Sequence, residues 1–225
     1  GGGRGRGRGR AKQAACDRRP EIARNANRGG GRTPTGGTIN ASGGWWDAGD
    51  YLKFVETESY TTALMLIGVR DFPAEMGAES LGADFTAEAR FGVGWLQRMW
   101  DDDSRTLYYQ VGIGTGNDAI VSDHDIWRLP QVDDQYGGSV PAYRYIRNRP
   151  VLLAAPAGAL ISPNLAGRLA AAFAEAYQLF RRSDPAFARQ CPFSAEHIFD
   201  LPAQARRGDR LPWRPFGFYP RQEFR

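Results

Sequence analysis

Between Ser162 and Leu201 apolar residues recur every three or four positions, and two proline-led start signals divide the run. Ser162-Pro163 pairs an N-cap residue with proline at the first helical position, and Leu165, Leu169, Phe173, Tyr177 and Phe180 then form one face. Asp184-Pro185 repeats the signal, and Phe187, Cys191, Ala195, Ile198 and Phe199 continue it to about Leu201. Two antiparallel helices joined by a short turn make a helical hairpin. Two earlier segments read the same way. Tyr60, Ala63, Leu64 and Ile67 give a buried face to a helix over 57–69, which Asp71-Phe72-Pro73 ends. Ala87, Phe91, Trp95 and Met99, widened by Leu96, give another, with the aromatics read as core. Leu107–Val111 reads as a short strand. The expected architecture is therefore all-α, with four long helices and little strand.

Charge is unevenly placed. Residues 1–32 hold 10 Lys/Arg against 2 Asp/Glu, a net of +8, and the rest of the chain has a net of −4. Residues 1–10 repeat Gly-Arg and read as a disordered leader; residues 11–42 lack periodicity and read as loop. Residues 1–37 are thus expected to be a basic leader and loop, and 38–225 the folded part. A mildly acidic body argues against a nucleic-acid-binding core, which leaves polyanion binding to the N-terminal tail. No apolar run nears the roughly 20 residues that span a bilayer. Cys16 and Cys191 make no disulfide framework, and no Cys/His spacing resembles a zinc site.

Chemistry concentrates in two places. In Gly43-Gly44-Trp45-Trp46-Asp47-Ala48-Gly49-Asp50-Tyr51-Leu52-Lys53, two carboxylates stand three residues apart on a glycine turn beside paired indoles. Such a turn brings both carboxylates to one small volume, where they can orient and deprotonate a water molecule. Ser122–Pro130 packs His124, two aspartates, Trp127 and Arg128 into a loop. From the residues alone, His124 is expected to be held by a local hydrogen bond to Asp123 or Asp125. Asp101-Asp102-Asp103 reads as a solvated turn, and the glycines of 112–116 lack the spacing of a nucleotide-binding loop.

The Gly43–Lys53 stretch resembles the signature of family 9 glycoside hydrolases, the inverting endoglucanases and related β-glucanases. Ala87–Leu96, Leu107–Gly112, Asp123–Pro130, the helix from Pro163 and Ala195–Asp200 follow in the family's order, so the resemblance covers about residues 38–201. It implies an (α/α)6 barrel, incomplete here with four or five of twelve helices, and single-displacement hydrolysis of β-1,4-glucans. Carried over by position, Asp50 matches the general base and Asp47 the partner that holds the attacking water. His124 and Trp127 match a loop lining the substrate cleft. Trp45 and Trp46 lie beside the base, either as a sugar platform or as barrel core.

Inversion needs a carboxylate and a carboxylic acid about 6.5–9.5 Å apart, and two aspartates on one turn cannot supply that separation across a sugar. The family's acid is a glutamate late in the barrel, and Glu223 lacks its surroundings. The resemblance implies no organic cofactor, a calcium ion in some members, a β-glucan substrate and secretion. A carbohydrate-binding fragment without turnover is the alternative.

Overall fold

The structure is a computed structural model and describes residues 18–25, 32–47, 50–77, 84–114 and 119–203. Four long helices carry it: α1 (Val55–Asp71), α2 (Phe85–Met99), α3 (Pro163–Phe180) and α4 (Cys191–Ala203). Helix α1 packs between α2 and α3, and α4 packs on α3 as the expected hairpin. The Asp84 carboxylate caps α2 by accepting from the Ala87 N–H at 2.9 Å. Ser162 occupies the N-cap of α3 without a side-chain hydrogen bond, so Pro163 carries that start signal alone.

Two helix expectations are corrected. On α1, Tyr60 and Leu64 are exposed, while Glu58, Ser59, Thr62, Ala63, Leu66 and Val69 are buried. Apolar residues surround this helix, so their spacing does not select a face. Small residues do, because a Cβ on Gly92 of α2 would meet Thr62 Oγ1 at 2.4 Å. The run after Asp184 is not one helix, since a single turn over Pro185–Ala188 precedes α4. Asp184 caps that turn at the Phe187 N–H, and Gln97 Nε2 donates to the Phe187 carbonyl at 3.3 Å, satisfying a group freed by the break. Phe199, expected inside, is exposed.

A small sheet lies beside the helices. Its strands are β1 (Arg18–Asn25), β2 (Arg32–Asn40), β3 (Lys53–Phe54), β4 (Trp100–Asp101), β5 (Thr106–Val111) and β6 (Val151–Leu153). They run in the order β2-β1-β6-β5-β3, with β4 also on β5. The β1–β2 hairpin replaces the loop expected within 11–42; pairing with β6, parallel at Ile22↔Val151, supplies order that no local pattern announces. Strand β5 is buried along its whole length, with β3, β4 and β6 as neighbours. This sheet sets the site in place, because β3 continues directly from the Asp47–Leu52 turn into α1, and β5 leads directly into the Gly112–Gly114 segment.

Candidate active site

The turn that carries both aspartates is closed by its own backbone. The Asp50 N–H donates to the Asp47 carbonyl and the Asp47 N–H to the Leu52 carbonyl, each at 2.9 Å. The Leu52 N–H donates to Asp50 Oδ1 at 2.8 Å. Ala48 and Gly49 lie outside the described residues. Below the turn, the fully buried Lys53 ammonium donates to the Gly43 carbonyl at 2.5 Å. Gly44 has φ +70°, and a Cβ there would lie 2.6 Å from Glu58 Oε2 and 2.8 Å from the Trp95 ring. Only glycine allows the backbone to lie that close to its floor.

Across the site, the His124 loop rests on the segment that leaves β5. The His124 N–H donates to the Gly114 carbonyl at 2.9 Å, and a Cβ on Gly114 would crowd the imidazole at 2.9 Å. His124 Nε2 lies 2.7 Å from Asp50 Oδ2. An ionised carboxylate only accepts, so the proton of this bond sits on Nε2. The expected local partners are therefore corrected. Asp125 Oδ2 instead accepts from the Ser122 N–H at 2.7 Å and its hydroxyl at 2.9 Å, and Asp123 turns to Arg149. Asp50 keeps acceptor capacity beyond its bonds to Leu52 and His124, because a carboxylate offers about four sites.

The Asp47 carboxyl is perturbed by its surroundings. Burial raises it above the ordinary value of 3.8, the Asp50 charge raises it further, and His124 opposes both. A carboxyl raised in the folded state favours folding while protonated. That contribution is present below the unfolded value near 3.8 and is lost as pH rises through the higher folded value. Asp47→Asn, neutral throughout, is expected to remove this loss. Urea unfolding midpoints should fall less between mildly acidic and neutral pH in the variant than in the parent; equal falls would contradict the assignment.

The three tryptophans separate. Trp45 donates Nε1–H to Glu88 at 2.8 Å, and its ring lies 5.7 Å from Phe91 and against Gly92, contacts that belong to α2 packing. Trp46 sits edge-on to Tyr51 at 4.8 Å, and its buried Nε1–H has no hydrogen-bond partner among the described residues. Trp127 is 86% exposed.

Among the described residues no group of three or more His, Cys, Asp or Glu could hold a metal. Asp101 accepts from Ser104, and Asp102 from Trp100 and His197, so the acidic run is tied into local hydrogen bonds. No described helix is long and apolar enough to cross a membrane. The Gly-Arg leader and Glu223 lie outside the described residues.

Behind the His124 loop is an ion network with two members, Asp133 and Arg149, that the sequence reading did not single out. Arg149 donates to Asp123 Oδ1 from Nη2 at 3.0 Å and from Nε at 3.2 Å, and to Asp133 Oδ2 at 2.6 Å. Arg128 also pairs with Asp133. Burial raises the Asp123 carboxyl, against the pull of Arg149 and Arg128. Only the fold brings 123, 128, 133 and 149 together.

A family model described as Glycosyl hydrolase family 9 matches residues 8–224. Endoglucanase 19 of Oryza sativa subsp. japonica is 31% identical over 170 residues, which cover 76% of this chain and 28% of that protein. Endoglucanase 22 of Arabidopsis thaliana is 29% identical over 76% of this chain and 30% of its own length. The chain thus spans under a third of the length of these relatives. Among solved structures, an endoglucanase of the termite Nasutitermes takasagoensis matches with a TM-score of 0.54 at 28% identity, covering 75% of this chain and 34% of that one. A cellulase, Cel9M, of C. cellulolyticum in complex with cellobiose matches with a TM-score of 0.59 at 19% identity, covering 80% and 36%. Structures of this group are (α/α)6 barrels, and the four helices with their loops are an incomplete part of one.

Proposed function

The chain belongs to glycosyl hydrolase family 9, and on that premise we propose that it carries the water-activating half of a site that hydrolyses β-1,4-glucosidic bonds by inversion. In this reading Asp50 is the general base. It takes a proton from a water that Asp47 also holds, while the water oxygen attacks the anomeric carbon from the face opposite the leaving sugar. His124, bonded to Asp50, fixes the rotamer of the base and offers its ring edge to the sugar. Protonation of the leaving oxygen falls to a separate carboxylic acid, which in the family is a late glutamate. The substrate is cellulose or a related β-glucan, encountered after secretion, and the chemistry requires no cofactor.

The observation that carries this reading is the 2.7 Å contact between Asp50 and His124, which joins two family-matched segments lying 74 residues apart in the sequence. The exposed ring of Trp127 offers a stacking face for a glucan, while Trp46 packs edge-on against Tyr51 beside the base. The contacts of Trp45 favour the core alternative for that residue.

Carbohydrate binding without turnover is the second reading, which the exposed ring of Trp127 also suits. Titrating cello-oligosaccharides while following tryptophan fluorescence is expected to give a saturable shift that His124→Ala abolishes. An unchanged spectrum at saturating sugar would overturn the assignment of the cleft. Polyanion binding by residues 1–32 rests on charge alone.

A further inference from the structure

Arg149 and Asp133 are almost completely buried, and the network they anchor brings two positive and two negative side chains into the interior. Burying such a set costs desolvation that well-packed apolar residues would avoid, so stability alone is a poor reason for it. Its position supplies a better one. Asp123, which Arg149 grips with Nε and Nη2, is the residue before His124. Tyr51, whose ring centroid lies 4.8 Å from the Arg149 guanidinium carbon, is the residue after Asp50. The Tyr51 hydroxyl donates to the Arg128 carbonyl, which closes the circuit.

We infer that Arg149 is a positioning residue that sets the Asp50–His124 contact by holding the two backbone segments that carry it. The inference rests on the reading of that pair as the water-activating half of the site. Arginine suits the role because one planar group forks onto Asp123, reaches Asp133 and lies against an aromatic ring; an ammonium is a point charge and cannot do all three. The surroundings are shaped to admit it. Gly112 has φ +83°, and a Cβ there would lie 2.7 Å from Leu52 Cδ2 and 3.5 Å from both Arg149 Cδ and Asp123 Oδ2. The Gly112 N–H donates at 2.8 Å to the carbonyl of Pro150, the residue that follows Arg149.

The chain has two histidines, which makes the test direct. His197 Nδ1 pairs with Asp102 at 2.9 Å, on α4, and serves as an internal reference for folding. Nitrogen-resolved NMR of imidazole N–H protons in the full chain is expected to show a downfield His124 resonance, assigned by its loss in His124→Gln. In Arg149→Lys that resonance is expected to disappear while the His197 resonance persists. Its persistence at the parent position and exchange rate would overturn the inference. If both resonances vanish in Arg149→Lys, Tyr51→Leu, which removes the ring that lies against Arg149, decides. Exchange of the His124 proton with water about tenfold faster than in the parent supports the positioning role, in line with the steep cost of small misplacements; an unchanged rate overturns it.

Cello-oligosaccharide titration separates this inference from the reading beneath it. Loss of the His124 resonance in Arg149→Lys, with no sugar bound by the parent, leaves the positioning role standing and removes the sugar assignment. Parent binding that is weakened about tenfold by Arg149→Lys supports both. Equal affinities in parent and variant overturn the positioning role.

Discussion

Asp50→Asn is expected to lower hydrolysis of β-cellobiosyl fluoride by the full chain by about 10²–10⁴-fold, the usual contribution of a positioned general base. Fluoride is chosen because it departs without protonation. Hydrolysis of this substrate therefore reports on the base separately from any general acid. Asparagine retains the size of aspartate and can still accept from the Leu52 N–H, a bond of 2.8 Å in the parent, so the turn should hold while the base is lost. Rates followed by fluoride release, with thermal unfolding to verify the fold, measure the effect. Equal rates in parent and variant would remove Asp50 from the chemistry.

Trp95→Ala is expected to cost about 3–5 kcal/mol of stability, the range for truncating a large buried aromatic side chain. Trp95 is completely buried, and its Nε1 donates to the Ala41 carbonyl at 3.3 Å. Its ring is also the floor under Gly43 and Gly44, where an added Cβ would meet it at 3.8 Å and 2.8 Å. Its removal therefore opens a cavity directly beneath the segment that leads into Asp47 and Asp50. Denaturant unfolding should show the loss, and sugar binding should fall with it. Phe199→Ala is the comparison. That side chain is 64% exposed, and its truncation should change stability by no more than about 0.5 kcal/mol. A Trp95→Ala loss equally small would show that the turn does not depend on the α2 core.

The features legible in the sequence were those set by neighbours along the chain. Pro163 marks a helix start through its own covalent geometry, and α3 shows its Leu165, Leu169 and Phe173 face directly in the residue spacing. The Asp47/Asp50 turn was legible because its residues are neighbours along the chain, and the backbone bonds within 47–52 close it locally. His124 stood out in a loop rich in polar and aromatic residues, but its hydrogen-bond partner was not legible. The local candidates Asp123 and Asp125 are both engaged elsewhere, and the actual partner arrives from a distant segment through the sheet.

Long-range packing also explains the other differences. The buried face of α1 carries Glu58, Ser59 and Thr62 because α2 comes close over Gly92, a contact that hydropathy cannot reveal. β1 and β2 exist through pairing with each other and with β6, so a search for local periodicity passes over them. Arg149 was invisible for the same reason, since its partners Asp123 and Asp133 lie 26 and 16 residues away.

The most direct test of the central claim is the anomeric form of the first sugar released from β-cellobiosyl fluoride, followed by proton NMR before mutarotation. Water activated by Asp50 attacks opposite the leaving fluoride, so the account predicts α-cellobiose as the initial product and its loss in Asp50→Asn. Initial release of β-cellobiose, or α-cellobiose formed equally fast by Asp50→Asn, would contradict it.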